Sequence, residues 1–121
     1  LVAVMEKKAG FMLGNQDVYL NVVGGLKVNE PALDLGIILA TASSFKNVSI
    51  PKGVIALGEV GLTGEVRTIN MMEKRLKEAE RLGFKKCIIP ENNKKLLKDN
   101  FKMDIIGVRT INEAMQKAGL R

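Results

Sequence analysis

The chain has 121 residues, of which 46% are hydrophobic and 26% are charged, proportions typical of one soluble globular domain. It has no histidine and one cysteine, Cys87, which excludes Ser-His-Asp and Cys-His catalysis and leaves no ligand set for a zinc site. The net charge of +6 arises in the second half, because residues 1–60 hold five basic and five acidic side chains and residues 61–121 hold fourteen and eight. Such a basic excess favours a polyanionic partner, although a well-solvated surface gives the same count.

The longest apolar stretch, Ala32–Ala42, contains Asp34 and is shorter than the roughly 20 residues that a membrane-spanning helix needs. No membrane partner is therefore predicted, and no secretory leader is expected. The chain begins at Leu1, in what reads as the middle of a structured segment. We expect residues 1–121 to form a single domain taken from a longer protein.

The first half of the chain predicts two strands separated by a helix. β-branched and aromatic residues alternate in Asp17–Val23, which predicts a strand that Gly24-Gly25 ends. Pro31 favours a helix start, and the helix predicted over 31–45 is apolar on nearly every side, as expected of a central core helix. A buried strand is predicted at 54–57.

A hairpin is predicted next, over residues 58–67. Its glycines, Gly58, Gly61 and Gly64, suggest a tight turn whose backbone reaches positive φ. Strands alternating with helices predict a layered α/β domain, and this hairpin argues for a mixed sheet.

The second half predicts a second amphipathic helix and two further strands. Asn70 and Glu73 have the spacing of a capping box, and one apolar helical face then continues to Gly83. Strands are predicted at 85–89 and 105–108, with a short helix at 92–97 between them. Thr110 with Glu113 predicts the start of a last helix that ends near Gly119.

Several residues could carry chemistry, and each also has a structural explanation. Cys87 lies in an apolar run and is expected to be a core residue. Asp34, on a buried helix, should have a hydrogen-bond or ion-pair partner, with an interface or functional role as the alternative. Ser43 and Ser44, together with the abundant lysines, leave a Ser-Lys nucleophile pair open.

Strings of residues along nearly the whole chain resemble known proteins. Asn29–Leu35, Leu57–Arg67 and Ile88–Asn92 resemble the proteolytic domain of Lon. The RadA/Sms family of bacterial DNA-repair proteins, whose C-terminal domain is Lon-like, is closer still. Its pattern is similar to Gln16–Gly25 and Gly107–Thr110, in addition to the shared glycine-rich string. The resemblance implies a Lon-like fold, a C-terminal position in the longer protein and a location in the bacterial cytoplasm.

Active Lon proteases use a serine–lysine dyad, and the resemblance implies that this chain lacks both members. Carried over without gaps, the serine position falls at Ala32 and the lysine position at Arg75. Alanine has no nucleophile, and a permanently charged guanidinium cannot act as a general base. Ser43 and Ser44 lie about three helical turns, roughly 16 Å, further along the same helix. We therefore expect no catalysis by this domain, with an active Ser-Lys peptidase as the alternative.

The resemblance also implies partners and cofactors for the longer protein. RadA/Sms proteins combine a zinc-binding segment and an ATPase that forms a hexameric ring on DNA and drives branch migration in recombination. ATP, Mg and Zn are expected only in upstream domains, and no cofactor or metal is expected in this chain. The Lon-like domain is expected to support ring assembly and to bind the phosphate backbone of DNA.

The basic half of the chain supplies the candidates for that DNA contact. With only 4% aromatic residues and no tryptophan, the chain offers little for stacking on bases, so sequence-independent and salt-sensitive binding is expected. The candidate residues are Arg67, Lys74, Arg75, Lys77, Arg81, Lys85, Lys86, Lys94, Lys95 and Lys98.

Overall fold

Strands and helices alternate along residues 30–120, which are the residues described in the structure, a computed structural model. The predicted strand at 17–23 and the Gly24-Gly25 turn lie outside them. In chain order the elements are a 3-10 turn Pro31–Leu33, α1 Asp34–Lys46, β1 Val54–Ala56, β2 Glu59–Val60, β3 Val66–Arg67, α2 Met72–Arg81, β4 Lys86–Pro90, α3 Glu91–Lys95, β5 Asp104–Val108 and α4 Ile111–Lys117.

The strands of residues 30–120 form two sheets. The larger has the order β1-β4-β5 and is parallel throughout, with Lys86 opposite both Val54 and Asp104 at its amino edge. The smaller is the antiparallel hairpin of β2 and β3, in which Glu59 faces Arg67. The predicted α/β class, with both parallel and antiparallel strands, is confirmed. In the described residues the two kinds of pairing occupy separate sheets.

Side chains of the parallel strands point alternately to two faces, and helices cover both. On one face Ile55, Cys87 and Ile89 pack with α2. We call this group the α2-side cluster, and its other members are Leu57, Met72, Leu76, Ala79, Phe84 and Met103. On the other face Ala56, Ile88 and Val108 pack with α1 and α4. This group, completed by Leu35, Leu39, Val54, Ala114, Ala118 and Leu120, is the α1-side cluster. Cys87 is fully buried, as predicted, and burial raises the pKa of its thiol.

The first predicted helix is present, as the 3-10 turn followed by α1. Leu35, Leu39 and Ala40 are buried, whereas Ile37 and Ile38 are half-buried. Among the described elements α1 therefore covers one face of the parallel sheet and does not lie between two layers. The helix ends at Asn47 in the left-handed conformation.

The predicted hairpin is also present, but its three glycines differ in conformation and surroundings. Only Gly64 of the three has a positive φ, of 85°. A Cβ at Gly58 would lie 3.0 Å from Val66 Cγ1, and a Cβ at Gly61 would lie 2.2 Å from a carboxylate oxygen of Glu65. The prediction that this hairpin reaches positive φ is therefore confirmed at Gly64, whereas at Gly58 and Gly61 the missing side chain makes room for neighbours.

The predicted capping box of α2 is wrong. Its N-cap is Met71, in the left-handed conformation, and no side chain caps the helix. The Glu73 carboxylate instead accepts hydrogen bonds from the backbone N–H groups of Lys98 and Asp99, at 3.1 and 2.9 Å. Local spacing assigned the Glu73 side chain to the helix start, but in the fold it binds backbone N–H groups that are distant in sequence. The apolar face of α2 and its end before Gly83 are as predicted.

The cap predicted for the last helix is confirmed. Thr110 Oγ1 accepts from the N–H of Glu113 at 3.2 Å, and the Glu113 carboxylate accepts from the N–H of Arg109 at 2.8 Å. The helix gives way to Gly119 with φ 83°. Among residues 30–120, no helix combines the length and apolar character that crossing a membrane requires.

Candidate functional site

The two positions that the Lon resemblance assigns to a catalytic dyad, Ala32 and Arg75, lie on segments that one ion pair connects. Ala32 is only 3% exposed, and its carbonyl accepts a hydrogen bond from the N–H of Gly58 at 2.9 Å. Glu30, two residues before Ala32, forms an ion pair with the Arg75 guanidinium on α2. The start of the 3-10 turn is thereby tied to α2.

The Arg75 side chain is buried, and its donors are directed at protein acceptors. Its Nε donates to the Asn70 carbonyl at 3.1 Å, and its Nη2 lies 3.3 Å from Asn70 Oδ1 as well as contacting Glu30 Oε1. A buried guanidinium needs such partners to offset its lost hydration. Arginine has donors and no acceptor, so this group can bind an anion or a carbonyl but cannot take a proton from a nucleophile.

The two serines of α1 lie at its far end. Ser43 is buried, and its hydroxyl donates to the Val48 carbonyl, which ties down the chain just after the helix. Ser43 comes nine positions after Asp34, the first residue of the helix, which corresponds to about 13 Å along the axis. The Ser44 carbonyl accepts from the N–H of Asn47. The Ser43 hydroxyl therefore already has a structural partner.

Asp34 joins α1 to the hairpin. Its Oδ2 accepts a hydrogen bond from the N–H of Val60 at 3.2 Å. Desolvation raises the pKa of Asp34, the nearby charge of Glu59 adds to the rise, and the Val60 hydrogen bond opposes it. The partner expected for this carboxylate is thus a backbone N–H of β2.

An open cleft of about 550 Å³ lies at the carboxyl edge of the parallel sheet, where α/β folds commonly bind ligands. Charged and amide side chains line it: Glu59, Glu65, Arg67, Glu91, Asn92 and Arg109. Within the described residues, no group of three or more histidine, cysteine or acidic side chains could hold a metal ion.

Two of the charged groups at this cleft are bound to each other. The Glu65 carboxylate accepts from Arg67 Nη2 at 2.8 Å and from the hydroxyl and N–H of Thr63 at 2.5 and 3.1 Å. The Thr63 and Arg67 hydrogen bonds lower the pKa of Glu65 to about 2. The arrangement holds an ionised carboxylate beside a guanidinium, which is suited to polar binding.

The basic candidates fall on several surfaces. Lys74, Lys77 and Arg81 lie exposed along α2, where the spacing of three and four residues places them on one side. Lys77 pairs with Asp99 at 2.7 Å, and Arg81 pairs with Glu78. Two of the three charges on this helix are therefore already matched.

The other candidates lie at the edges of the parallel sheet and beyond. Lys85 and Lys86 are at the amino edge, where β4 begins, whereas Arg67 lines the cleft at the carboxyl edge. Lys94 and Lys95 form the last turn of α3, and Lys98 follows in the next loop. The ten candidates do not form one continuous patch.

Sequence reasoning did not include Lys52 and Lys102 among the candidates. Each lies two residues before a parallel strand, and the structure places it on the edge that carries Lys85 and Lys86. Their signal was available, because residues before neighbouring parallel strands share one sheet edge.

Asn93 was missed as well. Its side chain is buried, accepts from the N–H of Ile69 at 2.9 Å and donates to the carbonyl of Ile69 at 3.1 Å. It thereby holds the segment that leads into α2. No local pattern marks this residue, because its partner is 24 positions away.

Residues 2–93 match the family model described as subunit ChlI of Mg-chelatase. The chain therefore belongs to that family, as a region of the type found in RadA. It is 45% identical over 116 residues to the DNA repair protein RadA of Halalkalibacterium halodurans, which covers 96% of this chain. The RadA proteins of Listeria monocytogenes and Bacillus subtilis are 44% and 47% identical over 98% and 96% of it.

These matches confirm the RadA/Sms resemblance seen in the sequence. The chain spans about a quarter of the length of the curated relatives it matches, 25% of the Halalkalibacterium and Bacillus proteins and 26% of the Listeria protein.

Proposed function

We propose that this chain is a noncatalytic, Lon-like domain of a RadA-type DNA repair protein, and that it binds the DNA backbone and supports ring assembly. The relatives that it matches over nearly its whole length are named DNA repair proteins. One observation carries the noncatalytic part of the proposal. Arg75, at the position assigned to the lysine of the dyad, is buried against Glu30 and Asn70.

The remaining chemistry around this position supports the same proposal. Acyl transfer by a dyad needs an attacking oxygen and a group that accepts its proton. Ala32 offers a methyl group, and Arg75 offers only donors. The Ser43 hydroxyl is bound to the Val48 carbonyl at the other end of α1. Nothing described at these serines favours a peptidase.

Charge supports the DNA contact. The chain carries +6 overall, and the structure leaves Lys74, Lys94 and Lys95 exposed and without a carboxylate partner among residues 30–120. Lysines bind phosphates as point charges and do not read bases in a bidentate way. Binding should therefore be insensitive to sequence and should weaken steeply with salt.

The roles of the longer protein belong to the same proposal. By the RadA resemblance, the domain works beside a zinc-binding segment and a DNA-dependent ATPase with Mg and ATP, in a hexameric ring that acts in recombination. Light scattering on the full-length protein with and without this domain tests the assembly role. A ring of unchanged size without the domain would contradict it.

Titration of a labelled duplex tests the DNA contact. We expect binding at about 50 mM salt and a loss of at least tenfold in affinity at about 200 mM, as counterion release predicts. No binding at the lower salt concentration would leave a pure assembly domain.

A fluorogenic peptide or casein assay tests the noncatalytic role, with no turnover expected. Turnover that disappears in Ser43→Ala or Ser44→Ala would overturn it.

A further inference from the structure

The amino edge of the parallel sheet brings four lysines together from three separate parts of the chain. The N–H groups of Lys85 and Lys86 both donate to the Gly53 carbonyl, at 2.8 and 3.0 Å, so the start of β4 lies directly beside residue 52. On its other side the N–H of Asp104 donates to the Lys85 carbonyl at 2.9 Å. Lys52 and Lys102, each two residues before a strand, therefore flank Lys85 and Lys86.

The stem of Lys85 packs against the turn at Gly53. A Cβ at Gly53, where φ is 84°, would lie 3.4 Å from Lys85 Cγ. The lysine stem thus runs over the neighbouring turn, and Lys85 remains exposed. Contact of this kind limits the positions open to the ammonium group. The edge therefore presents its charges from a fixed backbone frame.

The four lysine charges exceed the acidic charges beside them in the described residues. None of the four lysines forms an ion pair within residues 30–120, and two carboxylates lie near them, Asp104 opposite Lys86 and Glu80 beside the backbone of Lys102. The Glu80 carboxylate accepts from the N–H groups of Lys102 and Met103 and so fixes the backbone at this corner. On α2, by contrast, Lys77 and Arg81 are paired.

We propose that Lys52, Lys85, Lys86 and Lys102 form the principal contact of this domain with the phosphodiester backbone of duplex DNA. This inference rests on the proposed function and names the surface that performs it. Neighbouring strands lie about 4.8 Å apart, so three strand starts span about 10 Å. DNA carries one charge per about 1.7 Å of its axis, so several phosphates face such a span.

The test compares two sets of exposed lysines that carry the same charge. One variant is Lys52→Gln/Lys85→Gln/Lys102→Gln, which omits the half-buried Lys86. The comparison variant is Lys74→Gln/Lys94→Gln/Lys95→Gln, whose three lysines are exposed and have no carboxylate partner among residues 30–120. Both remove three charges, so a difference between them reports position. Circular dichroism establishes that each variant is folded before titration.

We expect the amino-edge variant to lose at least about tenfold more affinity for a labelled mixed-sequence duplex than the comparison variant. Its log–log dependence on salt should become shallower by about 2 to 3, as expected for three lost phosphate contacts. An equal or smaller loss than in the comparison variant would overturn the inference and leave the proposed DNA contact standing. Failure of the unsubstituted protein to bind would instead overturn the DNA contact itself.

Discussion

Among residues 30–120, Arg75 is the one charged side chain that is almost fully buried, with 8% exposure. Removing one member of a buried ion pair leaves the other charge without compensation, which costs about 3–5 kcal/mol when both are fully buried. The Glu30 side chain is 19% exposed, so water can partly replace it. The pair should therefore contribute less than that range but more than a surface pair.

A double-mutant cycle on Glu30 and Arg75 tests this estimate. We expect Glu30→Gln to lower the free energy of unfolding in urea by about 2 kcal/mol. Arg75→Met should cost a similar amount, and the double variant should cost clearly less than the sum. Glu78→Gln, which breaks the exposed pair with Arg81, is the control and should change stability by less than about 1 kcal/mol. Equal effects of the two glutamine substitutions would contradict a buried role for Arg75.

At the scale of single residues, sequence reasoning succeeded where the determining contacts are local. Cys87 was assigned to the core because its neighbours in the chain are apolar, and Thr110 caps the N–H three residues ahead. It failed at Glu73, which has the right spacing for a cap but binds the backbone 25 positions away. Asn93 was missed for the same reason, because only the folded chain brings it to Ile69.

The loop between α3 and β5 is fixed to α2 by two carboxylates. Glu73 accepts from the N–H groups of Lys98 and Asp99, and Glu80 accepts from those of Lys102 and Met103, at 2.7 and 3.0 Å. The two acidic residues are seven positions apart and so lie on one side of the helix. Each satisfies two loop donors with a charged acceptor, a stronger type of hydrogen bond than a neutral one.

Hydrogen exchange tests the role of Glu80 in holding the loop. In Glu80→Ala we expect faster exchange at the amides of Lys102 and Met103, because their acceptor is lost. A loss of about 1.5–3 kcal/mol in opening free energy corresponds to roughly 10- to 150-fold faster exchange. Glu78→Ala, on the same helix but bound to Arg81, should leave both amides unchanged. Unchanged exchange in Glu80→Ala would show that other contacts fix the loop.

At the scale of elements, apolar patterns, glycine turns and cap residues together predicted the helices and strands that residues 30–120 contain. The spacing of apolar residues identifies those that share one face of an element. This signal remains recognisable when the ends of the element are misplaced by a few residues. The hairpin shows what periodicity lacks. Gly58 and Gly61 are set by the approach of Val66 and Glu65, and such an approach is known only once both strands are placed.

At the scale of the whole molecule, strand order decides which charges meet. The chain order of β1, β4 and β5 is also their order in the sheet, so the residues before these strands share one edge. The sequence showed that the second half of the chain is basic. It did not show that Lys52, from the charge-balanced first half, lies beside lysines of the second half. Net charge can be read from a list of residues, whereas a charged surface requires the topology.

The three-stranded sheet separates two groups of buried side chains, so the domain is one cooperative unit only if the sheet couples them. Leu76 lies in the α2-side cluster and Leu39 in the α1-side cluster, and both are buried. Truncating a buried leucine to alanine costs about 2–5 kcal/mol, while a small domain has about 5–15 kcal/mol in total. Either change should therefore weaken the whole fold and not one face alone.

Leu39→Ala and Leu76→Ala test this coupling. NMR signals of Ile88, in the α1-side cluster, and of Ile89, in the α2-side cluster, report unfolding on the two faces of the sheet. We expect each variant to lower the midpoint of urea unfolding by the same amount at both residues. Leu62→Ala removes the same atoms from a fully exposed leucine at the hairpin tip and should change stability by less than about 0.5 kcal/mol. β4 pairs with both β1 and β5, and alternate residues of these strands belong to the two clusters. Neither cluster can therefore open without breaking backbone pairs on which the other depends. Separate transitions on the two faces in Leu39→Ala would show that the clusters unfold independently.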